Sequence, residues 1–374
     1  MARMLLYRNI ISRARKLAVA MLLPCVSAFA QEPLPQKVVF ANGLMQGAYY
    51  YSEVVYSGKS WIENSSGRLP VSTTSFTPGN ALRLKYSNGD GEWAARIQYH
   101  SIRGFDAFSP ASHLVFRLYI ASETTSENLP DVGVSDKDNE PGQFVKLADH
   151  VSSVKQKEWL KVAIPLETIS GGKAIDDLNQ VVFKLRGGSG EHTIYVDQIE
   201  FADITSVQKV SQAPRAVSAT GFEKHVDIVW EKVTDPAVKY IKVYRSKDNN
   251  TFQPVGIQIP QTGRYADFHG SVGARFHYRV TFLDHDYNET APSNTVAAAT
   301  RPLSDEELLD MVQEAHFRYY WEGAESHSGL ALENIPGRQQ MIASGASGFG
   351  IMALIAGTER KFISREQAVE RFLK

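Results

Sequence analysis

The chain has 374 residues, 43% of them hydrophobic and 22% charged, with 40 basic against 41 acidic side chains. That length accommodates two or three domains, and the composition excludes a disordered or low-complexity polypeptide. The charge balance supplies no basic excess of the kind that recruits nucleic acid.

Residues 1–30 differ from everything that follows. "MARMLLYRNIISRARK" carries five basic residues and no acidic one, "LAVAMLLP" is a short apolar core, and "SAFA" places small residues before Gln31. This is the pattern of a cleaved secretory signal peptide, too short in its apolar part to be a membrane span. The only cysteine, Cys25, lies inside it. A lipid anchor on Cys25 is the weaker reading, because Pro24 stands where such a site wants a small residue. Without the five basic residues the balance is 35 against 41, a net charge of −6. A secreted or periplasmic protein with no disulfide is expected, its stability resting on hydrophobic cores.

From residue 31 to 205 the pattern is all-β. "ALRLKYS", "WAARIQYH", "HLVFRLYIA", "WLKVAIPL", "VVFKLRGG" and "HTIYVDQIEF" are short β-branched and aromatic runs separated by Gly, Asn, Ser and Pro clusters, as in a jelly roll or sandwich. The closing "TIYVDQIEF" resembles the last strand of carbohydrate-binding and galactose-binding-like modules. That resemblance implies a structural calcium near Asp197, although one carboxylate cannot specify a site of six to eight oxygens. Sugar binding would rest on aromatic faces. Trp61, Trp93, Tyr99 and the run Tyr49, Tyr50 and Tyr51 are the candidates, with Trp61 and Trp93 foremost for glycan stacking. Trp93 and Tyr99 share a strand face with Ala95 and Ile97, so that face serves equally as core. Trp159 also reads as core.

Residues 206–300 hold a second set of strands, including "VKYIKVYRSKD" and "RFHYRVTFLD". With Pro214, the inward Trp230, Tyr278 and the Pro292-Ser293 turn, the segment resembles a fibronectin type III domain. It contains no catalytic constellation and reads as a spacer.

At Arg301 the period becomes helical. Ser304 followed by Glu307 forms a capping box ahead of "SDEELLD", and Ser364 with Gln367 caps a helix running to Lys374. Between them "GASGFG" (345–350) opens a helix expected to begin near Ser347. A phosphate loop needs a following Lys and a preceding strand, and neither is present. His316 and His327 have no third ligand nearby.

The stretch "FRYYWEGAESHSGLALENIPGR…IASGASGFGIMALIAGTERKFISREQAVER" resembles the start of the glycoamylase-like domain of glycoside hydrolase family 144, the bacterial endo-β-1,2-glucanases. The matching features are Trp321, the Ser328-Gly329-Leu330 turn, Glu333 and the glycine-rich helix start at Gly345–Gly350. The resemblance implies an (α/α)6 barrel, β-glucan hydrolysis without a catalytic cofactor, and Trp321, Glu333 and Ser347 near the substrate. Glu322 and Glu325 are spaced as helix-surface neighbours. A twelve-helix barrel needs on the order of 200–300 residues, and 71 follow residue 303. An incomplete barrel is therefore expected, with the catalytic acid and base beyond Lys374. The expected fold class is multidomain: an all-β jelly-roll or β-sandwich, a fibronectin III-like sandwich, then the first helices of that barrel (residues 301–374). The polysaccharide or oligosaccharide partner fits either a glycosidase or a non-catalytic surface glycan-binding or adhesion protein. N-terminal sequencing of exported protein should begin at Gln31; Met1, or a lipid on Cys25, would overturn the cleaved-signal reading.

Overall fold

The computed structural model describes residues 36–42, 49–99, 111–151, 153–204, 208–215, 217–335 and 341–374. The leader, Cys25 and Gln31 lie outside the described residues, as do the side chains of Tyr49 and Tyr50.

The first domain is a sandwich of two antiparallel sheets. One sheet has the order β10 (Trp159–Pro165), β7 (His113–Ile120), β12 (Gly190–Ala202), β5 (Ala81–Asn88), β3 (Trp61–Ile62), with β1 (Gln36–Phe40) on β12 and β4 (Val71–Ser72) on β5. The other runs β2 (Tyr49–Tyr56), β6 (Glu92–Tyr99), β11 (Leu178–Arg186), β8 (Asp131–Asp136), β9 (Pro141–Lys146). Alternation sends Leu82, Leu84 and Tyr86 of β5, Trp93, Ala95 and Ile97 of β6, and Val181, Phe183 and Leu185 of β11 into the shared core. Phe116 and Phe183 meet edge to face across it, 5.5 Å between centroids.

The long strand β12 changes parity midway. Ile194 and Val196 point inward, and after a register shift between Asp197 and Glu200 the inward residues are Ile199 and Phe201. A bulge of this kind adds one residue to one strand and swaps its two faces. Gln198, inside the bulge, takes a left-handed φ of 51°. The swap turns Glu200 to the outside of the sheet, yet its side chain is only 3% exposed.

The second sandwich covers it. Its sheets are β13 (Ser218–Gly221), β14 (His225–Val229), β17 (Arg264–Phe268) and β16 (Gln253–Gln258), β15 (Tyr240–Ser246), β18 (Arg275–Leu283), β19 (Val296–Ala299). Val226, Ile228, Trp230, Ile241, Val243, Tyr278 and Val280 form its core. Lys239, just before β15, places Nζ 2.6 and 2.7 Å from the two Glu200 oxygens. Tyr287 donates to Gln198 Oε1 at 2.7 Å, Arg117 donates to the Asp286 carbonyl at 3.0 Å, and Lys161 pairs with Asp286 at 2.5 Å. The two sandwiches are thereby joined through a buried ion pair, hydrogen bonds and aromatic contact.

Between Pro165 and β11 lies a single-turn helix, α1 (Leu166–Ile169). Three further helices follow β19: α2 (Asp305–Trp321), α3 (Ser344–Glu359) and α4 (Arg365–Phe372). Both capping boxes form, Ser304 with Glu307 and Ser364 with Gln367. Helix α3 begins at Ser344 rather than near Ser347, with Ala343 as its uncapped N-cap. A Cβ at Gly345 or Gly348 would meet nothing within 4 Å, so no close approach requires glycine at either position. The close helix crossing lies further on, where a Cβ at Gly357 would stand 2.5 Å from the Phe317 ring.

Removing the ammonium from a buried pair leaves an uncompensated carboxylate. Lys239→Met should therefore lower unfolding free energy by about 3–5 kcal/mol in denaturant melts. The double variant Lys239→Met/Glu200→Leu should recover most of that loss.

Candidate carbohydrate-binding site

The outer face of the five-stranded sheet assembles polar and aromatic groups from strands distant in sequence. Cross-strand registers align Tyr51, Gln98, Gln180 and Ser135 in one row, and Glu53, Arg96, Val182, Gly133 and Phe144 in the next. At about 4.8 Å per strand, five strands make a track about 19 Å across. Gly133 leaves room for Phe144, since a Cβ there would stand 2.8 Å from the Phe144 ring. Arg68 lies over the Tyr51 ring at 4.8 Å, Lys184 over Phe144 at 3.5 Å, and Arg96 pairs with Glu53 at 3.0 Å. Gln180 is 4% exposed; its amide donates to Asn139 Oδ1 at 2.6 Å, while its Oε1 has no hydrogen-bond partner among the described residues. An unmatched acceptor in the floor, with rings and cations around it, is a surface suited to hydroxyl-rich ligands. Of the sequence candidates whose side chains are described, Tyr51 is the one that lies on this track.

The stacking candidates separate. Trp93 is 1% exposed, packs on Tyr86 at 4.6 Å and donates to Asn88 Oδ1 at 3.4 Å, so it presents no face to a sugar. Its parity with Ala95 and Ile97 sends it inward, as it does Tyr99 at 6%. Trp61 is partly exposed on the outer face of β3, with Lys85 Nζ 5.8 Å from its ring. Trp159 corrects its core reading: it shares parity with exposed Lys161 and lies partly exposed outside the seven-stranded sheet.

Asp197 does not fit a calcium site. Oδ1 accepts from the Gln198 N–H at 2.8 Å and the Asn42 amide at 3.1 Å; Oδ2 accepts from the N–H groups of Phe76 at 2.8 Å and Thr77 at 3.2 Å. These partners are hydrogen-bond donors, where calcium needs oxygens. The remaining oxygen of Asn42 is taken by the Asn80 N–H at 2.8 Å. Burial pushes the Asp197 carboxyl up to about 6, against the pull of the Thr77, Phe76, Gln198 and Asn42 donors. Among the described residues no group of three or more His, Cys, Asp or Glu side chains could hold a metal.

In the helical segment Trp321, Glu333 and Ser347 are not brought together by any hydrogen bond among the described residues. Trp321 is stacked on Phe317 at 6.1 Å and covered by the Arg371 guanidinium at 4.2 Å. Ser347 Oγ donates to the Ala343 carbonyl at 2.8 Å and accepts from the Ala331 N–H at 3.2 Å, bracing the loop before α3. Glu333 is exposed. Glu322 pairs with Arg264 at 2.5 Å. Glu325 caps its own turn: burial would raise its pKa, but the N–H groups of Ser328 and His327 and the Ser328 hydroxyl hold it down to about 2. A carboxylate held that low cannot serve as a general acid near neutrality. His316 bonds the Val312 carbonyl, and His327 stands 3.6 Å from Glu325.

Comparison with known proteins places these features together. Residues 38–203 match the family model of carbohydrate binding domain 30. The chain is 45% identical over 347 residues to the exo β-1,2-glucooligosaccharide sophorohydrolase (non-reducing end) of Parabacteroides distasonis, covering 90% of this chain and 48% of that protein. The crystal structure of a β-1,2-glucanase from Parabacteroides distasonis superposes with a TM-score of 0.82 at 43% identity, covering 91% of this chain and 50% of that one. The chain is a homologue of these enzymes. The resemblance to glycoside hydrolase family 144 is borne out, and the β-sandwich architecture with its few helices is shared. The chain spans about half the length of the relatives it matches. Among the described residues no helix is long and apolar enough to cross a membrane.

Trp93→Ala should cost about 3–5 kcal/mol of stability as a large-to-small core substitution, whereas Trp61→Ala should leave the melt nearly unchanged. Asp197→Asn turns an amide N–H toward existing donors and should destabilise by about 3 kcal/mol. Added calcium or chelator should leave the wild-type melting temperature where it is; a calcium-dependent rise would restore the metal reading.

Proposed function

We propose that this chain belongs to an exported glycoside hydrolase acting on β-1,2-linked glucooligosaccharides. The first sandwich is its carbohydrate-binding module, and the fibronectin type III-like second sandwich is a rigid spacer leading to the catalytic helices. The observation that supports it most is the 45% identity to the sophorohydrolase, which runs through 90% of the chain rather than through one module. Attack from the non-reducing end, in the manner that relative's name states, is the mode proposed here.

Helices α2 to α4 are read as the opening of an (α/α)6 barrel. Phe349 is 70%, Met352 63% and Ile355 56% exposed on α3. Patches of this kind mark contact surfaces, and further barrel helices would cover this one. Glycoside hydrolysis needs two positioned carboxyl groups. On these helices Glu306 and Asp310 both engage Arg360, and Glu322 engages Arg264. The catalytic acid and base are read as belonging to the further helices of that barrel.

Purified residues 31–374 should release no reducing sugar from β-1,2-glucan, and a chain extended to the relatives' full length should release disaccharide. An extended chain that binds the glucan without cleaving it would favour the adhesion reading instead. Within the sandwich, Gln98→Ala should weaken binding at the five-stranded face at least tenfold, read as the loss of a site in titration with β-1,2-glucooligosaccharide, with an unchanged melt. An unchanged isotherm would remove the five-stranded face from the binding reading.

A further inference from the structure

The opposite face of the first sandwich carries a second feature. On the outside of the seven-stranded sheet, Tyr195 of β12, Tyr119 of β7 and Trp159 of β10 stand directly across from one another. Tyr119 lies 5.3 Å from Trp159 and 5.8 Å from Tyr195, ring centre to ring centre. Beside the row, Phe76 lies over Arg117 and 5.9 Å from Trp159, with Tyr287 of the second sandwich 5.2 Å from it. At the other end Arg83 faces Tyr195. Tyr119, Tyr195 and Trp159 are each partly exposed. Their two hydroxyls and the indole N–H make no hydrogen bond among the described residues.

Strand alternation alone accounts for three outward side chains, but not for three in-register aromatics with unused polar tips. Such rings expose apolar surface with a donor at the edge, which is how a pyranose is held: its C–H face on the ring and its hydroxyls at the rim. The strip is narrow and bounded by ion pairs, Arg83 with Glu63 at 2.7 Å, Lys85 with Glu191 at 2.9 Å, and Lys161 with Asp286 at 2.5 Å. A stable protein interface needs about 800 Å² per partner; a band one residue wide between charges suits a single polysaccharide chain better. Adjacent rings are inclined by 50° and 57°. A chain lying across them must rotate its sugar faces from one ring to the next, which favours a bent glucan over a flat ribbon.

We propose that Tyr195, Tyr119 and Trp159 form a second glucan-binding platform, on the face of the sandwich opposite the track lined by Gln98 and Gln180. The proposal rests on the carbohydrate-binding reading of residues 38–203. Two platforms on opposite faces would let one molecule hold two stretches of glucan.

Isothermal titration of the full chain with soluble β-1,2-glucooligosaccharide, and with a β-1,4-glucan oligosaccharide for comparison, tests it. The wild type should show two sites, with the β-1,2-linked ligand preferred at one. Tyr119→Ala/Trp159→Ala should lose that site by at least tenfold in affinity and keep the one that Gln98→Ala removes. Tyr119→Phe, which retains the ring, should bind within a few-fold of wild type. Melting curves check folding; if the double variant is unfolded, Tyr195→Ala is read in its place. A folded strip variant with an unchanged isotherm overturns the platform while the glucan reading stands. No binding by the wild type overturns both. A strip variant that alters only the sedimentation behaviour of the chain assigns the strip to self-association and overturns the platform.

Discussion

The arrangement of the β domains depends on one buried ion pair, Lys239 with Glu200, and on the backbone irregularity that presents it. Both side chains are almost wholly buried, at 1% and 3% exposure. Burial lowers the Lys239 pKa, and the Glu200 charge works against that shift. Such a pair adds little net stability over an apolar contact, but its partners cannot be separated cheaply. Its effect is to fix orientation. Lys239 also lies over the Tyr287 ring at 4.0 Å, and Arg117 over both Phe76 and Tyr287. Rotation between the sandwiches would strip several charges of their partners at once.

Glu200 reaches that position only because β12 bulges, and the bulge is held by Asp197. The Asp197 carboxylate draws in the Gln198 N–H and the N–H groups of Phe76 and Thr77 from the loop before β5. Gln198 then accepts from Tyr287 and donates to Thr77 at 2.6 Å. One carboxylate thus anchors the loop, the bulge and, through Gln198, the neighbouring domain. That explains a buried aspartate on a terminal strand without a metal ion.

The strands were legible because alternation is a local signal, and both capping boxes were legible for the same reason. The bulge is also written in the sequence: Ile194, Val196, Ile199 and Phe201 are apolar at a spacing that skips one residue. It reads as a simple strand until the side of Glu200 matters. Trp159 shows the limit of residue type as a guide. Tryptophan suggests core, but its strand neighbours Val162 and Ile164 occupy the inward parity and leave Trp159 with Lys161 outside. The two candidate glycan surfaces were hidden for a different reason. Gln98 and Gln180, or Tyr119 and Tyr195, become neighbours only through strand pairing, and no short window contains them. The start of α3 is not legible because its N-cap, Ala343, makes no side-chain capping bond that would mark it.

The rigidity built at the first junction continues into the helices. Around buried Asp227 stand Arg264 at 3.9 Å, Arg318 of α2 at 3.8 Å and the His225 ring at 3.5 Å, while Arg264 also reaches Glu322 at the end of α2. Exposed pairs contribute little individually, but here several share two arginines and a carboxylate that is only 9% exposed. Helix α2 in turn packs Phe317 against Gly357, so α3 is set by contact with the same element. Orientation therefore passes from Asp197 through Glu200 and Lys239 to the second sandwich, and from Asp227 to the helices. A glucan held on the first sandwich would lie in a fixed direction relative to α2 and α3, which a flexible linker could not provide. Capture by the module would then restrict where the chain can run next. As the proposed spacer, the second sandwich would act through stiffness and need no catalytic group of its own.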